Sequence, residues 1–127
     1  MVKSGAVIFA KDVNAVARFY ESVVPMRIFA EEDGAVRLEN DSLQLVIHAL
    51  PKSVAKQIDI TVPPQLREQV AIKPVFAIDS LERVRGIASS LGGGMNPPSS
   101  AFVWAGFRAC DGYDPEGNQV QFREAAD

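Results

Sequence analysis

Few side chains in the 127-residue sequence are of the types that perform acid–base or nucleophilic chemistry. His48 is the only histidine, so it is the only imidazole available for proton transfer near neutral pH. It ends an apolar run, where a lone histidine more often bonds to a backbone carbonyl than acts as a catalyst. Cys110 is most simply a small apolar residue, and Asp111 and Asp114 are interpreted as turn and loop carboxylates rather than an acid–base pair. These residues by themselves predict no reaction.

Composition and charge argue against several classes of protein. The net charge is −3 and no Lys/Arg run stands out, so the basic patch of a nucleic-acid-binding protein is missing. The longest apolar runs are far short of a bilayer span, so we expect no membrane association. The single cysteine cannot form an internal disulfide, which favours a reducing compartment, and we expect a cytoplasmic protein. The length fits one domain over residues 1–127.

The first half of the chain has the order strand, helix, strand, strand, strand. The apolar patterning predicts a largely buried strand over 6–10, a helix over 13–24, and strands over 26–30, 35–39 and 43–48. Asp12 offers a capping side chain at the start of the helix, and Pro25 ends it. Asp33 and Gly34 predict a hairpin between the second and third strands.

The second half repeats the opening pattern after a proline-containing segment. Residues 51–70 are interpreted as a linker that includes one short strand over 58–62. The patterning then predicts a strand over 75–78, a helix from 81 to about 91 that glycines 92–94 end, and strands over 101–109 and 119–123. Asp12 and Asp79 stand at equivalent places before the two helices. This duplication suits two supersecondary modules of an α+β fold.

Two segments carry a resemblance to a known superfamily. Residues 12–20 (D-V-N-A-V-A-R-F-Y) resemble the first-module helix, and residues 114–122 (D-P-E-G-N-Q-V-Q-F) resemble the C-terminal turn and last strand, of the glyoxalase/bleomycin-resistance/extradiol-dioxygenase (vicinal oxygen chelate) superfamily. The resemblance implies an α+β fold of two βαβββ modules, at about 5–50 and 71–124, whose sheets curl around a shared cup. In the superfamily the cup is usually completed in a homodimer. Both motifs serve folding, so they do not establish a reaction.

The resemblance also implies four positions at which metal-dependent members place His or Glu ligands. These positions fall on Gly5, on Val46 or (with a slip of two residues) His48, on Lys73, and on Gln121. Glycine has no donor side chain, a protonated lysine repels a cation, and an amide oxygen is a poor substitute for a carboxylate. We therefore expect no metal and no other cofactor.

The same positions suit an organic ligand. Lys73 and His48 can hold an anionic group, and Gln121 offers both a donor and an acceptor. Lys73 can equally be a strand-entry residue that extends to water. Trp104 lies in a stretch that resembles the Trp-plus-Gly approach to the last turn in bleomycin-binding relatives, which are metal-free sequestering dimers, although a tryptophan is equally common in a core or a dimer contact. Arg108 reaches the cup if strand parity places it there.

The leading hypothesis is a non-catalytic protein that sequesters a planar or anionic small molecule without metal, as a homodimer. Its ligand-binding residues would be His48, Lys73, Trp104, Arg108 and Gln121. The alternative is an enzyme of the same superfamily, lyase or dioxygenase-like, that is metal-free or has an atypical metal site. A third is an interaction module or small-molecule sensor that keeps the fold. The missing metal ligands favour the first hypothesis over the second.

Overall fold

A computed structural model of the protein describes residues 2–126. The chain divides into two compact units, residues 1–60 and 61–127. Each unit has its own open sheet, with four strands in the first and five in the second, and helices packed on it. The predicted α+β fold class is confirmed. Among the described residues, no helix is both long enough and apolar enough to cross a membrane.

The first unit is a βαβββ module. Its elements are β1 (Gly5–Ala10), α1 (Val13–Val23), β2 (Arg27–Glu32), β3 (Ala35–Glu39), β4 (Gln44–Ala49) and a short helix α2 (Lys52–Ala55). The strand order is β1-β4-β3-β2, with β1 parallel to β4 and the other pairs antiparallel. Helix α1 starts where predicted because Asp12 accepts a hydrogen bond from Ala15 N at 3.1 Å.

Helix α1 covers one face of this sheet, and the opposite face carries exposed apolar side chains. Leu45 and Ile47 of β4 are fully buried, whereas Val7 and Phe9 of β1 are each 54% exposed. The strand predicted over residues 6–10 is present, but the prediction that it is largely buried is wrong. A continuous apolar run indicates burial on both faces, yet β1 is an edge strand whose Val7 and Phe9 side chains stay half exposed on the face opposite α1.

The second unit repeats the module with one edge strand interrupted. Its elements are β5 (Val75–Ala77), α3 (Leu81–Ala88), β6 (Gly94–Met95), β7 (Phe102–Trp104), β8 (Phe107–Tyr113) and β9 (Gln119–Ala125). The order is β5-β9-β8-β6, and β7 also pairs with β8. Because β6 and β7 pair with opposite ends of β8, they serve together as one broken edge strand.

The ends of α3 are set by local side chains and one glycine. Ser80 caps the helix by accepting a hydrogen bond from Arg83 N at 3.1 Å. Arg83 also bonds to the neighbouring Asp79 at 2.7 Å and lowers the pKa of that carboxyl. After a 3-10 turn the chain leaves the helix at Gly92, whose φ of 91° lies in the left-handed region that favours glycine.

Two of the predicted strands are wrong. Residues 58–62 form no strand, because no strand within the described part of the chain pairs with them. The single strand predicted over 101–109 is a hairpin of β7 and β8. Ala105 and Gly106 both have positive φ, 50° and 84°, which is the conformation of a two-residue turn that reverses the chain and places Trp104 opposite Phe107.

Candidate functional site

Helix α3 packs on one face of the second sheet, and the other face carries no helix. Phe76, Cys110 and Phe122 are buried on the side of α3. Strand alternation and register place a second set of side chains on the opposite face: Val75, Ala77, Phe102, Trp104, Phe107, Ala109, Asp111, Gln121 and Arg123. These residues define the helix-free face of the second sheet, and Lys73 joins them from just before β5.

A continuous set of polar contacts crosses the helix-free face. Lys73 Nζ lies 2.6 Å from Asp111 Oδ2 in an ion pair. The other oxygen of Asp111 accepts a hydrogen bond from Gln121 Nε2 at 3.1 Å. Gln121 Oε1 in turn accepts from Arg123 Nε at 2.7 Å. Gln121 is only 8% exposed, so its amide is both buried and held at both ends.

Three further side chains extend these contacts into an aromatic cluster. The Arg123 Cζ atom lies 4.2 Å from the centroid of the Phe107 ring, which is a cation–π contact. The Phe107 ring meets the Trp104 ring edge to face, with centroids 5.5 Å apart and planes at 86°. Trp104 is 64% exposed, so it does not lie in the core of this chain.

Of the positive charges on this face, the one on Arg123 has no carboxylate partner among residues 2–126. Lys73 and Asp111 neutralise each other at 2.6 Å. Arg123 is half-buried, and no carboxylate within the described part of the chain forms an ion pair with it. The helix-free face therefore presents a positive charge at Arg123 rather than at Lys73, where the sequence analysis expected it.

His48 lies in the first unit, on the face of that sheet opposite α1. Its Nδ1 is 2.8 Å from the backbone oxygen of Ala49, which can only accept, so Nδ1 carries the hydrogen. In the neutral ring Nε2 then keeps its lone pair. The ring lies 5.7 Å from that of Phe9 and is exposed. His48 therefore bonds to a backbone carbonyl, as a lone histidine commonly does.

Arg108 points to the other side of the second sheet. It lies 3.7 Å from Glu124, whose other oxygen accepts a hydrogen bond from Leu81 N at the start of α3. Arg108 and Glu124 line a cavity of about 440 Å³ on this side, together with the first turn of α3. The structure thus brings Lys73, Gln121 and Trp104 to one face and does not bring Arg108 there.

Three of the positions at which the resemblance places metal ligands, Gly5, Lys73 and Gln121, do not carry a suitable donor set. A side chain at Gly5 would collide with the Gln44 backbone, since a Cβ there would lie 1.7 Å from its carbonyl oxygen. Lys73 is bound to Asp111, and the Gln121 oxygen is occupied by Arg123. Among residues 2–126 no three His, Cys, Asp or Glu side chains form a group that could hold a metal ion. These residues do not fit the metal of the superfamily's enzymes.

Sequence reasoning missed Arg123 and Phe107 and misplaced Asp111. Asp111 lies within β8 and bonds to Lys73, so its interpretation as a turn or loop carboxylate is wrong. Asp114, by contrast, does lie in the turn before β9. Alternation along the last strand could have found Arg123, because residues two apart in a strand share a face with Gln121.

Comparisons with known proteins find similarity in structure but not in sequence. No protein-family model matches the chain, and no curated protein matches it. A glyoxalase/bleomycin resistance protein/dioxygenase family enzyme from Burkholderia phytofirmans matches with a TM-score of 0.67 and 16% identity, over 97% of this chain and 98% of that one. A glyoxalase/bleomycin resistance protein from Albidiferax ferrireducens matches with a TM-score of 0.66 and 15% identity, over 97% and 98%.

A third similar structure is a fosfomycin resistance protein, FosX, from Listeria monocytogenes. Its mutant in complex with Mn(II) and 1S,2S-dihydroxypropylphosphonic acid matches with a TM-score of 0.67 and 15% identity, over 99% of this chain and 93% of that one. Sequence identities of 15–16% support a similarity of fold and nothing beyond it. The resemblance in the helix and turn motifs is confirmed at that level, and the chain has the fold of the glyoxalase/bleomycin resistance/dioxygenase proteins.

Proposed function

We propose that the protein binds a small organic molecule with a planar or anionic part on the helix-free face of the second sheet, without a bound metal. The observation that carries this proposal is the exposed Trp104 ring, which contacts Phe107 and is connected through Phe107 and Arg123 to the ordered amide of Gln121. Binding sites combine apolar surface with a few fixed polar groups, and this face offers both.

The energetics favour a stacked ligand. An indole that is 64% exposed leaves a large apolar surface in water, which a planar ligand would cover. Stacking adds about 0.5–1.5 kcal/mol beyond the burial of area. Gln121 is already held by Asp111 and Arg123, so little side-chain freedom is lost when a ligand contacts it.

Lys73 has a different part in this proposal from the one the sequence suggested. Its ammonium neutralises Asp111, and Asp111 fixes Gln121. We therefore assign Lys73 to positioning of the polar contacts rather than to direct capture of an anion. The unsuitable donor set at the metal positions, with Lys73 among them, supports binding without metal. The names of the structural neighbours refer to resistance to bleomycin and fosfomycin, which supports a small molecule as the ligand.

The second candidate function is a metal-free enzyme that uses His48. The observation in its favour is the anchored imidazole, with Nδ1 bonded to the Ala49 carbonyl and the ring exposed. Such a ring can accept a proton from a bound substrate through Nε2. Turnover of a bound ligand that disappears in a His48→Gln variant, with unchanged affinity, would favour this candidate over sequestration.

Tryptophan emission tests the proposed binding site, because Trp104 is the only tryptophan. Planar and anionic fragments are titrated into the protein in EDTA, with excitation at about 295 nm to select the indole, and calorimetry provides an independent affinity. We expect saturable quenching or a spectral shift with the affinity that calorimetry gives, since the ligand would cover the exposed ring. A ligand that calorimetry detects while the Trp104 emission stays flat would place binding elsewhere.

A further inference from the structure

We infer that the helix-free face takes an aromatic carboxylate, with the carboxylate held by Arg123 and the ring held against Trp104. This inference rests on the proposed function and adds the class of ligand and the residue that selects it. Neither the resemblance nor the structural neighbours assign a role to position 123.

The charge balance selects Arg123 as the anion-binding residue. The Lys73 ammonium is already paired with Asp111 at 2.6 Å, and binding a second anion there would require breaking that pair. Arg123 is bonded through Nε to a neutral amide oxygen, and its Cζ atom lies over an aromatic ring. A half-buried guanidinium attracts an anion more strongly than a fully exposed one, because less water screens it.

The contacts of Arg123 also fix the orientation of its guanidinium. Gln121 holds Nε at 2.7 Å, and the Phe107 ring lies 4.2 Å from Cζ. A guanidinium has five N–H donors, so with respect to residues 2–126 the donors on its two terminal nitrogens are left for a ligand. Two parallel donors of a fixed plane match the two oxygens of a carboxylate.

The neighbours of Arg123 leave room for such a ligand. In the sheet register, position 123 lies between Ala77 of β5 and Ala109 of β8. Both are alanines, so no long side chain from the adjoining strands competes for the terminal donors. Ala77 is exposed whereas Ala109 is fully buried, so the ligand's anionic group can approach Arg123 from the β5 side.

The aromatic part of the ligand follows from Trp104. The Trp104 and Phe107 ring centroids lie 5.5 Å apart, and Arg123 Cζ lies 4.2 Å from the Phe107 centroid. The distance from the guanidinium to the indole is therefore at most the sum of these two distances. A rigid bicyclic acid is long enough to place its carboxylate on one and its ring on the other. A single planar fork with one positive charge also suits a monoanionic carboxylate better than a phosphate dianion.

Matched probes with and without the charge test the inference. We would measure binding of 2-naphthoate and 2-naphthamide by calorimetry in EDTA, because the two share a ring system and differ in the anion. The expected result is that naphthoate binds at least about 10-fold more tightly, the scale of a charge-assisted hydrogen-bonded pair. Arg123→Gln should weaken naphthoate binding by about 10- to 100-fold and weaken naphthamide binding much less, since the amide carries no charge.

Two further variants serve as controls. Arg123→Lys keeps the charge without the planar fork, so naphthoate affinity should fall between that of the native protein and that of Arg123→Gln. The lysine variant also keeps a cation over Phe107, so it can still be measured if Arg123→Gln does not fold. Arg108→Gln removes an arginine from the opposite face of the same sheet, on β8 beside Glu124, and should leave both affinities unchanged.

The outcomes separate this inference from the proposed function. Equal affinity for naphthoate and naphthamide, with a response of Trp104 emission to both, would overturn the role of Arg123 while the face remains a ligand site. Tighter binding of 2-naphthyl phosphate than of naphthoate would overturn the carboxylate. If neither naphthalene probe binds but other fragments quench Trp104, the ligand class is wrong. If no fragment affects Trp104, the proposed function fails as well.

Discussion

At the scale of single residues, Asp114 shows how a sequence motif can serve the fold rather than chemistry. Its carboxylate is completely buried and accepts hydrogen bonds from the backbone N–H groups of Glu116 and Asn118, at 2.9 and 3.1 Å, and from the Asn118 side chain at 2.8 Å. Gly117 completes the turn with a φ of 81°. The Asp-Pro-Glu-Gly-Asn segment is therefore a folded turn that starts β9 in register.

We expect Asp114→Ala to lower the free energy of unfolding by about 2–4 kcal/mol, because two backbone donors and one amide lose their acceptor. Urea unfolding followed by circular dichroism measures this loss. Asp41→Ala is the matched control, since Asp41 is an exposed aspartate in the turn between β3 and β4 and should change the stability by less than about 0.5 kcal/mol. Equal stability of the two variants would contradict the structural role of Asp114.

Part of the candidate site could be predicted from the sequence, and part depended on strand register. The resemblance gave Lys73 and Gln121 by counting along the motifs, and both lie on the helix-free face. Arg108 was expected to share a face with Trp104 only if parity allowed. The two-residue turn after Trp104 instead places Phe107 opposite it and sends Arg108 to the other face. A turn with alanine at a positive φ has a weak sequence signal, since asparagine or glycine is usual there.

At the scale of elements, the segments with strong local signals were predicted well. The helix predicted over 13–24 is α1, Val13–Val23. Its ends could be predicted to within one residue because a capping aspartate and a proline mark them. The strand predicted over 35–39 has the bounds of β3, since a Gly turn precedes it. Such signals act within a few residues and need no knowledge of the rest of the fold.

The elements that were missed are those that depend on distant partners. β6 has two residues and exists only through its pairing with β8. The short strand expected over 58–62 has no partner strand, and the chain there has no regular structure. The exposure of β1 depends on its place at the sheet edge, which the apolar run over 6–10 does not encode.

At the scale of the whole molecule, exposed apolar side chains occur in both units and support the proposal of a homodimer. Val7 and Phe9 of β1 are each 54% exposed, and Val103, on the face of β7 opposite Trp104, is 59% exposed. Exposed apolar side chains that are neighbours, as Val7 and Phe9 are on one face of β1, commonly mark an interaction site in a soluble protein. A twofold pair would cover the same patch on both copies.

Sedimentation equilibrium at micromolar concentration tests the dimer, and we expect about twice the 13.8 kDa mass of the chain. A single species of monomer mass would contradict it. Trp104 emission followed through dilution provides a second control. If the emission changes on dissociation and does not respond to any ligand, Trp104 belongs to the dimer contact and not to the binding site.

The central claim is that a small molecule binds the helix-free face of the second sheet without metal, and side-chain NMR of the EDTA-dialysed, ¹⁵N-labelled protein tests it most directly. The signals to follow during titration with a binding fragment are the Trp104 indole N–H, the Gln121 amide and the Arg123 Nε–H, which lie along one set of contacts. The account predicts that these three signals shift together and saturate in the absence of any divalent metal. Shifts confined to the cavity beside Arg108 and Glu124, or binding that begins only when Mn²⁺ is added, would contradict it.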